Sequence, residues 1–497
     1  MTNRWPGPFD ADSPADFSGL LQSLDSIGFT RANLSELGLL GRENLPRAKV
    51  ALKSVGVDRR LIALIELFML AGGVDRDRAL DALGERLVSA LVAMNVLVSQ
   101  GNTLRSQACI LPLNDRLTIR DFEPFETGKP MLIDHVPSIS TSTALVSEMT
   151  VRTPCRRALD LGCGSAYHAL LASAHAAEVV ATDINSRCLN FAAACMRLNG
   201  VTNVNLRQGS LLEPVRGETF DLIACNPPFV ISPGTELIFR DAGLRGDQVS
   251  ETLLSSFAEM LSGDGWCTVL FNWHHKNDNL WPARPLTWVE GKGVDAWLIR
   301  LRTDDPESYA RAWIKTGDPE APVDEDKLQR WIAYLESIGA EAVSLGLIVL
   351  HKRVQADIPN WSRVDSPLEQ ERMINGSGQI RRVFAGETQW RAGGGDQCVL
   401  PLRLRLAPQS VLDQTSSAQN GAWTPTKTTL RQTHGLEHRR KIDPVVAAFL
   451  ARCDGSRTVA QLIAEFAPTI GTTPDQMQAG VCAVLSRLYR DGYFDAV

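Results

Sequence analysis

Apolar residues recur with two different periods along the chain, and the change falls near residue 157. Upstream, Leu61, Leu64, Ile65, Phe68 and Met69 repeat at helical spacing, as do Leu80, Leu83, Leu87, Val88, Leu91 and Val92 beyond the Gly72-Gly73 break. Val96-Leu97-Val98, a polar turn from Ser99 to Asn102, and Cys109-Ile110-Leu111 then predict a short hairpin. From Arg157 onward, short and nearly continuous apolar runs alternate with helical segments. The runs are Ala158 to Leu161, Val179 to Thr182, Val204 to Leu206, Phe220 to Ala224 and Trp266 to Phe271; helical periodicity covers Ala166 to Ala174, Ser186 to Asn199 and Asp247 to Leu261. Apolar strands separated by helices predict a parallel sheet covered on both faces.

Beyond Phe271 the pattern loosens. Trp273, Trp281, Trp288, Trp297, Trp313 and Trp331 read as core anchors of an insert or lid over about 274–340, and Leu345 to Leu350 reads as a late strand that closes the sheet. Gln409 to Thr429, rich in Ser, Thr, Gln and Pro, reads as a linker or mobile loop. The tail from Asp443 to Val497 carries two amphipathic helices and an Asp454-Gly455 turn, and ends in Gly492-Tyr493-Phe494. Its helix pattern and CDGSRT turn resemble small winged-helix modules, including peptide-recognition domains of peptide-modifying pathways. The N-terminal helices and hairpin likewise suggest a winged-helix-like unit for packing or substrate docking, with DNA binding as the sharper alternative. The expected division is 1–120, helical and winged-helix-like; 121–355, the α/β domain with its Trp-rich insert; 356–435, a linker and accessory segment; and 436–497, winged-helix-like.

Composition narrows the class. A chain of 497 residues exceeds one compact core. With 44% apolar and 22% charged residues it reads as folded rather than disordered. The formal net charge of −6 supplies no overall positive field, so tight binding to duplex DNA is not expected. The ten cysteines form no CxxC pair and read as reduced core thiols of a cytoplasmic protein. Met1 to Asp10 lacks an apolar signal core, and the stretch from Leu61 to Gly72 is too short to span a bilayer, so neither export nor a membrane span is expected.

Asp160-Leu161-Gly162-Cys163-Gly164-Ser165-Ala166 follows a strand and opens a helix, the context of a nucleotide-binding turn. Gly162 and Gly164 allow close backbone approach to a ligand. Ala166 stands where a third glycine is usual. A second strand ends at Asp183-Ile184, where a carboxylate can accept from both ribose hydroxyls; capping the helix from Ser186 is the alternative role. Ser210-Leu211 follows the third strand, and Asn226-Pro227-Pro228-Phe229 ends the fourth, at the sheet edge where such folds bind ligands.

In this order, the turn resembles motif I of class I S-adenosylmethionine-dependent methyltransferases. The Asn-Pro-Pro-Phe string is similar to the NPPY/F signature of amino-methyltransferases, a group that includes release-factor glutamine and nucleobase N-methyltransferases. The resemblance spans about Pro137 to Phe271. It implies a doubly wound, mostly parallel seven-stranded sheet, with S-adenosylmethionine as cofactor and S-adenosylhomocysteine as product. Asp160, Gly162, Gly164, Ala166, Asp183, Ile184, Ser210, Leu211 and Asn226 would contact the cofactor. Ser210 stands where many relatives place an Asp on the adenine amino group, and is a weaker acceptor. Asn226, Pro227, Pro228 and Phe229 would be catalytic. The Asn226 oxygen and the Pro227 carbonyl would accept hydrogen bonds from an NH2 whose lone pair must localise toward the methyl; the prolines would stiffen the loop, and Phe229 would stack on the planar group.

Arg240 to Gly246 resembles a glycine-containing stretch found at this point in the same group. His274-His275 is a weaker candidate for a base or metal ligand, since no Cys, Asp or Glu stands at ligand spacing and no metal is expected. Arg439-Arg440-Lys441 reads as a solvated basic turn. The acceptor stays open among a protein, an RNA base and a small molecule, as does oligomeric state. Two other readings stand beside the leading one: a tailoring methyltransferase acting on nitrogen or oxygen, and a cofactor-sensing DNA-binding regulator, for which the intact Asn226 motif would have no use.

Overall fold

The structure, a computed structural model, describes residues 5–40, 56–113, 115–241, 243–276, 278–315, 322–354, 357–367, 373–419 and 421–497. Met1 to Arg4 of the N-terminal segment, Ala242 of the glycine-containing stretch and residues 277 and 316–321 of the Trp-rich segment lie outside the described residues.

Eight strands form the central sheet: β1 Cys155–Leu161, β2 Ala176–Asp183, β3 Val204–Gln208, β4 Phe220–Cys225, β5 Leu261–His275, β6 Asp295–Asp304, β7 Ala342–His351 and β8 Ser362–Asp365. Their order across the sheet is β3-β2-β1-β4-β5-β7-β6-β8. Neighbours pair in parallel except at β7, which runs against both β5 and β6. The order reverses between β1 and β4, and at that point the loops following the two strands diverge and open a crevice.

Helices cover the sheet: α1 Thr141–Glu148, α2 Tyr167–Ala172, α3 Ser186–Leu198, α4 Gln248–Met260, α5 Ala283–Val289, α6 Pro306–Ile314 and α7 Glu325–Ser337. Burial explains the near-continuous apolar strands. Ala158, Leu159 and Leu161 of β1 and Leu222, Ile223 and Ala224 of β4 are all enclosed, as expected of strands with helices on both faces.

Several expectations need correction. The sheet has eight strands, not seven, because β8 pairs with β6 beyond residue 355. The Trp-rich segment is not merely an insert, since it supplies β6 and carries Trp297, fully enclosed, into the sheet. The hairpin of the N-terminal unit joins Leu97–Gln100 to Thr103–Ser106 through a two-residue turn with Gly101 at φ 64°. Cys109–Leu113 pairs instead with Arg116–Arg120. The short Thr-Leu-Arg-Ser return strand, with one buried Leu104, carried too little apolar signal to be read.

The supposed linker is a long antiparallel hairpin, Ser410–Gln419 with Ala422–Gln432, whose chain reverses at Gly421 with φ 79°. Its Ser and Thr residues read as linker, yet Thr suits an extended strand, and the Asn-Gly pair at 420–421 is a hairpin signal. Arg439–Lys441 is a strand rather than a turn: it pairs with this hairpin, Arg439 and Lys441 stay exposed, and Arg440 donates to Asp491 at 2.9 Å. The tail has three α-helices rather than two: Pro444–Leu450, Val459–Phe466 and Pro474–Arg490. Its core also draws on Cys398, Val399 and Leu404, upstream of residue 436, and its last strand, Phe494–Ala496, pairs with Leu404–Leu406.

Both ends are tied to the sheet. Phe9 packs edge-on against Phe191 of α3 at 4.7 Å, and its N–H donates to Asn190 Oδ1 at 3.1 Å. On the far side, Arg363 of β8 donates to Asp491 at 2.8 Å and to the Arg490 carbonyl at 2.6 Å. All ten cysteines are free thiols, nine buried and Cys155 half-buried. No helix among the described residues is long and apolar enough to cross a membrane.

Candidate active site

The crevice beside β1, β2 and β4 is a cavity of about 510 Å³. Gly162, Gly164, Asp183, Ile184, Ser210, Leu211, Asn226, Pro227, Pro228 and Phe229 all line it. Asp160 and Ala166 do not.

Gly162 and Gly164 sit at φ 70° and 54°, where a side chain strains the backbone. A Cβ at either position would meet no protein atom within 4 Å, so the space above the turn belongs to the cavity. Gly164 donates its N–H to Asp183 Oδ2 at 2.9 Å, and Asn185 donates to Asp183 Oδ1 at 2.8 Å. Burial pushes the Asp183 carboxyl up from its ordinary value against those backbone donors. The cap of α3 is Asn185, whose side chain accepts from Arg187 N–H. Asp183 is thereby left to the turn and the cavity. Each of its oxygens has a further lone pair for a hydroxyl.

Asp160 lies behind the turn. Its Oδ2 accepts from Ala169 N–H at 2.8 Å, while Oδ1 is buried without a partner. Burial lifts its carboxyl to about 7, with the Asp183 charge adding to the effect. Ala166 is fully enclosed at φ 63°, the left-handed cap of α2. The third-glycine position therefore keeps a glycine-like backbone but supports the helix rather than touching the cavity.

At the end of β4 the Asn226 side chain is split in its engagements. Its Nδ2 donates to Thr143 Oγ1 at 2.9 Å, and its Oδ1 is buried with no protein donor. Phe229 is nearly enclosed and meets Trp313 of α6 edge to face at 6.1 Å. Tyr309, also on α6, accepts from Ile231 N–H at 2.9 Å and from Asn272 Nδ2 at 2.8 Å, which pins the chain just after Phe229. Arg240 and Asp241 form a buried ion pair at 2.8 Å on the cavity wall. Arg240 also donates to the Trp313 carbonyl at 3.1 Å.

Thr143, Tyr309, Trp313, Arg240 and Asp241 thus belong to the site or its support, although sequence reasoning named neither Thr143 nor Tyr309. Thr143 lies upstream of the glycine turn, at the end of the run Ser138-Ile139-Ser140-Thr141-Ser142-Thr143, which carries no glycine. Trp313 and Tyr309 lie in the segment read as an insert. His274 and His275 stay away from the cavity: His274 Nδ1 lies 3.1 Å from Asp247, and His275 Nε2 lies 2.9 Å from Ser344 Oγ. His168 does line the cavity, and burial, helped by the Arg152 charge, pushes it down to about 3, so it is neutral at ordinary pH. No group of three or more His, Cys, Asp or Glu among the described residues is placed to hold a metal ion.

A sheet with β7 antiparallel between β5 and β6, a glycine turn after β1, an acid ending β2 and Asn-Pro-Pro-Phe ending β4 together define a class I S-adenosylmethionine-dependent methyltransferase domain. The family model of the methyltransferase small domain matches residues 139–277, and the central domain is of that type, with S-adenosylmethionine as its cofactor. A second family model, described as a domain of unknown function (DUF7782), matches residues 384–494.

A ribosomal protein uL3 glutamine methyltransferase of Bradyrhizobium diazoefficiens is 32% identical over 170 residues, which is 31% of this chain and 53% of that protein. A release factor glutamine methyltransferase of Xylella fastidiosa is 40% identical over 77 residues, 15% of this chain and 28% of that protein. The chain therefore spans about half the length of the first relative and less of the second. Among solved structures, a methyltransferase from Pyrococcus furiosus aligns at 17% identity with a TM-score of 0.28, over 44% of this chain and 85% of its own.

Proposed function

We propose that this protein methylates the side-chain amide nitrogen of a glutamine in a protein acceptor, with S-adenosylmethionine as donor. The observation that carries the reading is the Asn226 amide, in a residue that lines the cavity: its NH2 is committed to Thr143, and its buried oxygen lacks a protein donor. An orphaned buried acceptor is costly unless a ligand donor meets it, and the NH2 of a primary amide is such a donor. The two relatives are both glutamine methyltransferases, which supports the choice of amide over nucleobase.

The residues divide the work. Gly162 and Gly164 leave room for the methionine part of the cofactor, Asp183 would accept from its ribose hydroxyls, and Ile184 and Leu211 would pack on adenine. The bound cofactor supplies a methyl group on a positively charged sulfonium. Asn226 Oδ1 would accept from the acceptor NH2 and favour localisation of its lone pair, and Phe229 would restrict the amide plane. The nitrogen would gain the methyl and release one proton to water, while the sulfur would keep the electron pair of the broken S–C bond and leave as the neutral thioether of S-adenosylhomocysteine. A second cavity, of about 640 Å³, shares Ser138, Ile139, Ser140, Ser165 and Tyr167 with the first as lining residues and is also lined by Arg31, Leu39 and Met69 of the N-terminal unit; it would offer an approach for a polypeptide.

The test uses methyl-labelled S-adenosylmethionine with purified ribosomal protein uL3, purified release factor, RNA and a small-molecule fraction. Label recovered as methylglutamine in protein supports the proposal. Label confined to RNA or small molecules overturns it. Asn226→Ala should lower turnover about a hundred-fold or more and leave cofactor affinity within a few-fold.

A further inference from the structure

We infer that Thr143 is a positioning residue that fixes which face of the Asn226 amide meets the acceptor, a role that rests on the reading of Asn226 given above. The oxygen and NH2 ends of an asparagine amide are nearly the same size, so shape alone does not choose between them. Hydrogen-bond partners do. Asn226 Nδ2 has only protons to offer, and Thr143 Oγ1, 2.9 Å away, must accept one of them.

The Thr143 hydroxyl proton then has to go elsewhere. Ser140 Oγ lies 3.0 Å from Thr143 Oγ1 and also accepts the Thr143 backbone N–H at 3.1 Å. With Thr143 donating to Ser140, its oxygen is held as an acceptor toward Asn226. The opposite arrangement turns the amide over, reverses both hydroxyls and presents two N–H donors to the cavity. Buried donors without partners are rarer in proteins than under-satisfied carbonyls, and two donors facing the acceptor NH2 would repel it.

Local sequence explains the placement. Ser140 caps α1, and Thr143 is the third residue of that helix, so the cap bond that starts α1 also sets the Ser140 to Thr143 distance. The link to Asn226 spans 83 residues of sequence and joins α1 to the end of β4. Neither Ser140 nor Thr143 would need to touch the reacting atoms.

Thr143→Val keeps the shape and removes the hydroxyl. With ribosomal protein uL3 as acceptor, kcat should fall about ten-fold, while KM and the affinity for S-adenosylhomocysteine stay within about two- to three-fold. Thr143→Ser should restore the rate. In an Asn226→Ala background, Thr143→Val should cost nothing further, because the group it positions is gone.

A second readout needs no acceptor. The side-chain amide signal of Asn226, assigned in nitrogen NMR by its loss in Asn226→Ala, should show faster proton exchange in Thr143→Val. A parental kcat in Thr143→Val, a loss that adds fully to that of Asn226→Ala, or an unchanged amide signal would each overturn the inference. If Asn226→Ala itself keeps the parental rate, the reading of Asn226 fails instead, and the amide signal still decides whether Thr143 holds it.

Discussion

The backbone N–H of Gly164 donates to the Asp183 carboxylate at 2.9 Å, which locks the glycine turn after β1 to the end of β2. Two motifs nearly twenty residues apart are thereby one structural unit, and a change in either reaches the other.

Asp183→Ala should weaken S-adenosylhomocysteine binding by about 1–3 kcal/mol, through loss of charge-assisted bonds to the ribose and of the tie to Gly164. Asp183→Asn, which keeps one acceptor oxygen, should lose less. Titration calorimetry separates the variants, and unchanged affinity in Asp183→Ala would remove this residue from the cofactor site.

Asp160 sets a pH dependence. Burial lifts its carboxyl to about 7, above the value near 3.9 expected for an unfolded chain. The folded protein therefore holds this proton more tightly. The stability contributed by the protonated form is complete below about pH 4 and lost as pH rises toward 7. Asp160→Asn should raise stability at pH 8 by up to about 4 kcal/mol, read as a higher thermal midpoint, and change it little at pH 4. An equal effect at both pH values would contradict a buried, proton-holding Asp160.

Asp247 works in the opposite sense. Burial would raise its carboxyl, yet hydrogen bonds from Arg284 and His274 hold it at about 2. Its contribution is present above the ordinary aspartate value and is lost as pH falls from about 4 toward 2. At on the order of 2 kcal/mol, this should make wild type lose stability over that window more steeply than Asp247→Asn. Parallel acid-unfolding curves would exclude the role.

Tyr309→Phe leaves Ile231 N–H and Asn272 Nδ2 without their shared buried acceptor. A cost of about 2 kcal/mol in stability is expected, with a drop in turnover because the chain after Phe229 loses its brace. Unaltered melting and turnover would show that the brace is dispensable.

At the other side of the sheet, Asp491→Ala strips Arg363 and Arg440 of a nearly buried partner. A loss of about 3 kcal/mol is expected. Hydrogen exchange should rise in the helix Pro474–Arg490 before it rises in β1 and β4, and uniform protection throughout would show that the network does not couple the two units.

The order of motifs determined the central domain because each motif is continuous with a strand. Asp160 to Ala166 follows β1, Asp183 ends β2 and Asn226 to Phe229 follows β4, and a parallel strand places whatever follows it at one edge of the sheet. Burial on both faces wrote those strands into the sequence as apolar runs. Local pattern was weaker where partners were distant or strands polar. The Ser and Thr-rich hairpin at 410–432 shows no apolar period, and Trp297 gave no sign that its segment was a sheet strand.

Tertiary structure alone decided which groups meet the Asn-Pro-Pro-Phe loop. Thr143 reaches Asn226 from 83 residues upstream, and Tyr309 reaches Ile231 from 78 residues downstream. Periodicity reports which side of an element is buried, whereas the choice of neighbour depends on the summed packing and hydrogen bonding of the whole chain. The sequence by itself therefore determined the turn, the acid and the loop. The orientation of the Asn226 amide, on which the proposed nitrogen chemistry depends, came only from the helix that folding lays beside it.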